Sequence, residues 1–173
     1  LLFWVRPTLS EYLVGLVAVL LGAALRTWGA GHLVKTTSLT ISGPYAWVRH
    51  PLYVGTLLCG SGIAVMFGGW WALGVLAVFL LWFFLVYFPR KERLESARLE
   101  ALYGEAFARY RSEVPALRPR LATWRPSPQD TPVGGDPSCR WSLERYSENN
   151  ELGTLLALLA CMVVFGVRAV GWT

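Results

Sequence analysis

Ser42–Gly55 reads SGPYAWVRHPLYVG, a polar and basic knot between two strongly apolar stretches. Pro44 and Pro51 have no backbone N–H to donate, and they bias Gly43 and His50 toward extended backbone. Gly43 and Gly55 permit a tight turn or a close approach to a ligand. Within that frame Tyr45, Arg49, His50 and Tyr53 supply a fixed cation, a titratable imidazole and two phenols. Pro51 suits the first turn of the apolar helix that follows. The N-terminus of that helix, with Arg49 just ahead of it, would draw a carboxylate or another anion. An ordinary loop holding its Arg and His at lipid headgroups would satisfy the same residues, so their wider context has to decide.

That context is membranous. Of the 173 residues 54% are hydrophobic and nine are Trp, a composition suited to a membrane protein rather than a soluble domain. Leu9–Leu25 is the first spanning segment; its 17 residues would rise roughly 26 Å as a helix. Glu11 lies near one end, and Arg26 and Trp28 mark the other interface. Arg26–Ile41, with His32 and Lys35 among glycines and threonines, reads as an irregular surface connection. Beyond the knot, segments 52–67 and 70–88 are apolar, and Gly68-Gly69 between them signals a tight helical hairpin. Gly60, Ser61 and Gly62 suit close helix packing.

Pro89 is expected to end the third span, with cytosolic amphipathic helices over about 90–113. Leu99, Leu102, Tyr103, Ala106, Tyr110 and Val114 recur at spacings of three and four, the stripe of a half-buried helix. Gly104 should break or bend it. Glu95, four residues before Leu99, falls on the stripe side and needs a partner there, Arg49 or a cationic ligand; an exposed Glu95 paired with Lys91 or Arg98 is the plainer alternative. Residues 121–150 carry Pro126, Pro128, Pro132, Pro137 and Gly134-Gly135 and read as a linker, with a short surface helix toward its end. Segment 151–173 is a fourth span, with Arg168 able to snorkel. Cys59, Cys139 and Cys161 show no paired spacing, so neither a disulfide framework nor a metal site is expected.

The expected architecture is therefore an all-α integral membrane bundle of about four transmembrane helices. A membrane core over 1–120 precedes the linker and the last helix. Arg26, Lys35, Arg49, the nine Lys and Arg of Arg90–Arg125, Arg140 and Arg145 all fall on one side of a four-span chain. Only Arg6 and Arg168 fall toward the other. By the positive-inside rule the knot and the amphipathic helices face the cytoplasm.

GPYAWVRHPLYVG, then a helical hairpin, then ERLESARLEALYGEAFARYRSEVPALRP resembles the isoprenylcysteine carboxyl methyltransferase family and its phospholipid methyltransferase relatives. The upstream RTWGAGHLVK looks like the bacterial members, and the resemblance covers about 26–119. It implies a multi-pass membrane enzyme that uses S-adenosylmethionine, with the Arg-His-Pro block and the cytosolic helices closing over the cofactor. A lipophilic substrate would enter from the bilayer. Carried over by position, the resemblance marks Arg49, His50 and Glu95 as catalytic. It marks Gly43, Pro44, Tyr45, Arg49, His50, Pro51, Tyr53, Gly55, Glu95 and Tyr110 as cofactor-binding. The matching positions also include Tyr103, Gly104, Val114 and Pro115. Where the family often has two adjacent acidic residues, this chain has Glu95-Ser96, which puts one carboxylate contact in question.

Physical chemistry fits that implication. The cofactor brings its own activated methyl, so the protein has mainly to align the reacting groups. The cofactor carboxylate suits Arg49 and His50, and its sulfonium suits the faces of Tyr45 or Tyr53. O-methylation of a lipophilic carboxylate leads among the reactions, beside N-methylation of a lipid amine and S-methylation of a small thiol. An NADPH-dependent membrane reductase and a non-catalytic membrane scaffold remain as other classes. Membrane lipids are expected partners and nucleic acid is not; the oligomeric state is left open.

Overall fold

The computed structural model describes residues 5, 7–34, 38–125 and 140–171. Expectations placed on Arg6, Lys35, Pro126, Pro128, Pro132, Gly134, Gly135, Pro137, Cys139 and residues 172–173 lie outside them. Among the described residues every regular element is helical: α1 (Leu9–His32), α2 (Pro51–Val65), α3 (Gly69–Trp82), α4 (Phe88–Glu113), α5 (Leu143–Glu148) and α6 (Glu151–Ala169). A 3₁₀ turn occupies Gly43–Ala46, and a π-helical segment, Phe83–Tyr87, joins α3 to α4. Among the described residues three helical stretches are long and apolar enough to cross a membrane: Leu9–His32, Gly69–Glu113 and Glu151–Ala169. The α2 helix has 15 residues. At about 1.5 Å per residue it rises roughly 22 Å, short of the ~30 Å hydrocarbon core.

Two boundaries differ from expectation. Helix α1 runs past Arg26 to His32, where an irregular connection was expected, because its C-terminal carbonyls find donors elsewhere in the chain. Pro89 does not stop the helix either, since the backbone stays helical through it and along α4 as far as the kink at Gly104. The π-helical turn directly before Pro89 widens the ladder where the proline can offer no N–H. The expected break at Gly104 is present, with φ 49° and ψ −122°.

The chain divides into two compact units. The first comprises Leu1–Ala24, Gly55–Phe88 and Leu152–Thr173. Its core gathers Val5, Val19, Cys59, Met66, Leu158 and Phe165. Helices α1 and α2 meet backbone to backbone: a Cβ on Gly15 would stand 2.5 Å from the Gly62 carbonyl oxygen, and one on Gly62 2.6 Å from that of Gly15. Only residues without side chains permit that approach, the usual device of membrane bundles. The ring of Phe79 fills the space above Gly60. The Tyr12 hydroxyl donates to the Met162 carbonyl at 3.2 Å. Outward positions such as Leu13, Val17, Leu73, Val78, Leu85 and Val163 are exposed, as suits a surface that meets lipid.

The second unit comprises Leu25–Val54 and Pro89–Glu151. Leu39, Ile41, Phe107, Tyr110, Val114 and Trp124 form its core, with Leu99 and Tyr103 packed against it. The end of α1 is capped from far along the chain. Asn149 Nδ2 donates to the carbonyls of Ala30 and Leu33 at 2.9 and 3.1 Å. The Ser142 N–H reaches the Gly31 carbonyl at 2.9 Å, and Trp141 Nε1 reaches that of Thr27 at 3.0 Å. The donors from Asn149 and Ser142 satisfy carbonyls that a helix end leaves unpaired, and Trp141 adds a second donor one turn earlier. Arg26 forms a two-pronged pair with Glu151 at 2.9 and 2.7 Å and donates to the Leu52 carbonyl at 3.2 Å. The expected short helix near the end of 121–150 is α5.

Candidate active site

The knot is held in place by backbone. Gly43 adopts φ +58°, and a Cβ there would stand 2.6 Å from the His32 ring. Both features require glycine. His32 Nδ1 in turn lies 3.2 Å from the Ser42 hydroxyl. Residues 115–124 form a strap along the knot. The N–H groups of Arg49 and His50 donate to the carbonyls of Pro115 and Ala116 at 2.9 and 3.1 Å; those of Arg120 and Trp124 donate to Trp47 and Ala46 at 2.9 and 2.8 Å. The Tyr110 hydroxyl, buried, donates to the Tyr45 carbonyl at 2.7 Å, and its ring meets Trp124 edge-on at 5.2 Å. Backbone hydrogen bonds and the buried Tyr110 thus fix the loop from the side of the strap.

Against it, α4 presents a polar row. Arg49 Nη1 lies 3.1 Å from Glu92 Oε1, and His50 Nε2 pairs with Glu92 Oε2. The buried Ser96 hydroxyl donates to Glu92 Oε1 at 3.2 Å. Glu95 accepts the Tyr53 hydroxyl at 2.9 Å and stands 3.6 Å from His50 Nδ1. The rings of His50 and Tyr53 stack with centroids 5.1 Å apart. Burial raises the Glu92 carboxyl, but the hydrogen bond and charge of His50, the Arg49 guanidinium and the Ser96 hydroxyl outweigh it and bring the pKa down to about 2. Burial pushes the Tyr45 and Tyr110 phenols well above their ordinary range, so both stay protonated.

Two cavities open in this unit. The larger, about 510 Å³, has an apolar wall that includes Leu33, Leu39, Leu99 and Phe107, and polar residues that include Arg49 and Arg98. Its size is ordinary for a small-molecule site of about 300–1,000 Å³. The smaller, about 170 Å³, adds Pro51, Leu52 and Tyr53. Tyr45, Arg49, His50 and Glu95 line both. The Arg49 side chain is only 10% exposed, and among the described residues its Nε has no hydrogen-bond partner. A buried guanidinium with a donor to spare can receive an anionic group. Among the described residues no cluster of three His, Cys, Asp or Glu could hold a metal ion.

The structure thus brings Tyr45, Arg49, His50, Pro51, Tyr53, Glu95 and Tyr110 to the cavities. Gly43 and Pro44 shape the turn and line neither. Gly55 lies in α2, where its carbonyl oxygen would stand 2.7 Å from a Cβ on Gly22. Arg49 was one of the partners open to Glu95; the carboxylate that it meets is Glu92, which sequence reasoning missed. The signal was available. Glu92, Ser96, Leu99, Tyr103, Phe107 and Tyr110 recur at steps of four and three, one stripe that starts earlier than Leu99. Trp124 and Ser96 were missed as well.

A family model for phospholipid methyltransferases matches residues 10–106. The chain is 39% identical over 124 residues to the cobalt-zinc-cadmium resistance protein CzcN of Cupriavidus metallidurans, covering 70% of this chain and 54% of that protein. To the protein-S-isoprenylcysteine O-methyltransferase of Schizosaccharomyces pombe it is 31% identical over 113 residues, 65% of this chain and 46% of the relative. To the human protein of the same name it is 32% identical over 134 residues, 68% and 45%. The chain spans about half the length of these curated relatives. No solved structure matches it significantly. With more than half of its length matched by the family model and an all-helical fold bearing three helices fit to span a bilayer, the chain belongs to the phospholipid methyltransferase family.

Proposed function

We propose that this chain is an S-adenosylmethionine-dependent methyltransferase that modifies a lipophilic acceptor at the membrane–cytosol interface, with O-methylation of a carboxylate as its reaction. The observation that carries this reading is Arg49, buried, shared by both cavities, and with Nε unpartnered among the described residues. A cofactor carboxylate would be held there, and the apolar wall of Leu33, Leu39, Leu99 and Phe107 would cover the adenosyl part. When bound, the cofactor supplies a methyl group already activated on sulfur. The residues then have to bind, orient and exclude water. Glu95, its side chain 40% exposed and in reach of both cavities, would face the cationic centre. A carboxylate acceptor needs no base, in keeping with phenols at Tyr45 and Tyr110 that burial keeps protonated.

N-methylation of a lipid amine is the second reading. It is favoured by Glu95, a carboxylate at the cavities able to take a proton from an ammonium. We further propose four spans, with α2 as the short one, and a cytoplasmic site, on the strength of the cation bias.

The test incubates the detergent-purified chain with methyl-tritiated S-adenosylmethionine and three apolar probes: a farnesylated cysteine carboxylate, a phosphatidylethanolamine and an alkyl thiol. Label on the carboxylate probe that mild base releases as methanol is the expected result. Base-stable label on the amine lipid would replace the first reading with the second, and no transfer to any probe would contradict both.

A further inference from the structure

Glu92 lines neither cavity, yet both residues it binds line both of them. Its two carboxylate oxygens are divided, Oε1 toward Arg49 Nη1 at 3.1 Å and Oε2 toward His50 Nε2. One carboxylate thus ties two consecutive residues of the knot to α4. Its own freedom is removed by Ser96, one turn along the helix, whose hydroxyl donates to Oε1 at 3.2 Å and whose residue is 4% exposed. The side chains of Arg49, His50 and Glu92 are 10%, 7% and 18% exposed, so the pairing lies where water screens it weakly.

The division has a directional consequence. Arg49 Nη1 is drawn to Glu92 as an ion pair at 3.1 Å. Neither Nη1 nor Nε makes a hydrogen bond among the described residues, so the guanidinium is held by charge with donors left over. The imidazole is likewise gripped at Nε2, which fixes the plane in which it stacks on Tyr53 and sets Nδ1 toward Glu95 at 3.6 Å. Among the described residues, Tyr53 stacks on the ring from its own side, and Glu92 and Glu95 on α4 lie against its two nitrogens. Of these, Glu92 alone touches both bases from outside the cavities.

We infer that Glu92, braced by Ser96, is a positioning residue: it aims the Arg49 guanidinium and the His50 ring at the cavity without itself touching what binds there. The inference rests on the cavity being a cofactor site. A carboxylate that merely screened the two bases would have the opposite effect on an anionic ligand. Removing the charge would then tighten binding, because Arg49 would lose a competitor.

The experiment compares wild type, Glu92→Gln, Ser96→Ala and, as a control on the solvated face, Ser112→Ala, each folded in detergent. S-adenosylhomocysteine affinity is read by calorimetry, and the ring ¹⁵N signals of His50 are read by NMR at one pH. Glu92→Gln should weaken binding by roughly ten- to a hundredfold, the usual consequence of losing a charge-assisted contact. It should also move the His50 signals. Ser96→Ala should do both to a smaller degree, and Ser112→Ala neither. Unchanged or tighter binding in Glu92→Gln overturns the proposal. So does weaker binding with unmoved ring signals, which would mark a general loss of structure. If Glu92→Gln does not fold, Ser96→Ala decides by the same two readouts. If wild type itself fails to bind, the cofactor reading falls, and movement or constancy of the His50 signals still decides the role of Glu92.

Discussion

Arg49 and His50 share one carboxylate, and that sharing governs how the site meets acid. Glu92 has a pKa near 2 in the folded chain against an ordinary value of 4.5. A depressed carboxyl stabilises the fold fully above its unfolded value, and that contribution disappears as pH falls toward the folded value. Melting of the detergent-solubilised protein should therefore drop between about pH 4.5 and 2 more steeply in wild type than in Glu92→Gln. Parallel curves for the two would contradict the ion pairing. At this scale the sequence was half legible. Arg49, His50 and Glu95 were visible because chemistry-bearing residue types stand out around Pro51 and on a helical stripe. Glu92 escaped because the stripe was counted from its apolar members, and Ser96 because a serine gives no sign of being buried against a carboxylate.

Among the elements, the strap of residues 115–124 bears most on the site. Its proline-rich continuation reads as linker, and composition carries no sign that Trp124 is 6% exposed against Tyr110 or that its N–H pairs with Ala46. The pairing of Trp124 with Ala46 joins positions about eighty residues apart, beyond any local pattern. Removing a buried aromatic side chain costs about 3–5 kcal/mol in a packed core. Trp124→Ala should therefore lower the melting temperature markedly and weaken S-adenosylhomocysteine binding through the loosened knot. A chain ended after Arg120 also loses Trp141, Asn149 and Glu151, which hold the end of α1. Wild-type melting and affinity in Trp124→Ala would show the strap to be incidental. The break between α2 and α3 was, by contrast, legible, since two apolar runs about a Gly-Gly pair leave little else for the backbone to do.

For the whole molecule, fold class followed from hydropathy, because a bilayer permits few backbone solutions and uninterrupted apolar runs select the helix. The ends of the helices did not follow. Arg26 looks interfacial by composition; its pairing with Glu151, 125 positions later, and the donors that Trp141, Ser142 and Asn149 bring to the carbonyls beyond it accompany the continuation of α1 past it. Charge is divided as sharply as hydropathy. All Lys and Arg except Arg6 and Arg168 fall in the sequence ranges of the second unit, the one that holds both cavities. The central claim is that these cavities receive S-adenosylmethionine through Arg49. Calorimetric titration with S-adenosylhomocysteine of wild type, Arg49→Ala and Lys91→Ala, each shown to be folded by melting, tests it most directly. Wild type and Lys91→Ala should bind alike, and Arg49→Ala about ten- to a hundredfold more weakly, as loss of a charge-assisted contact implies. Equal affinity in wild type and Arg49→Ala, or no binding by wild type, would contradict it.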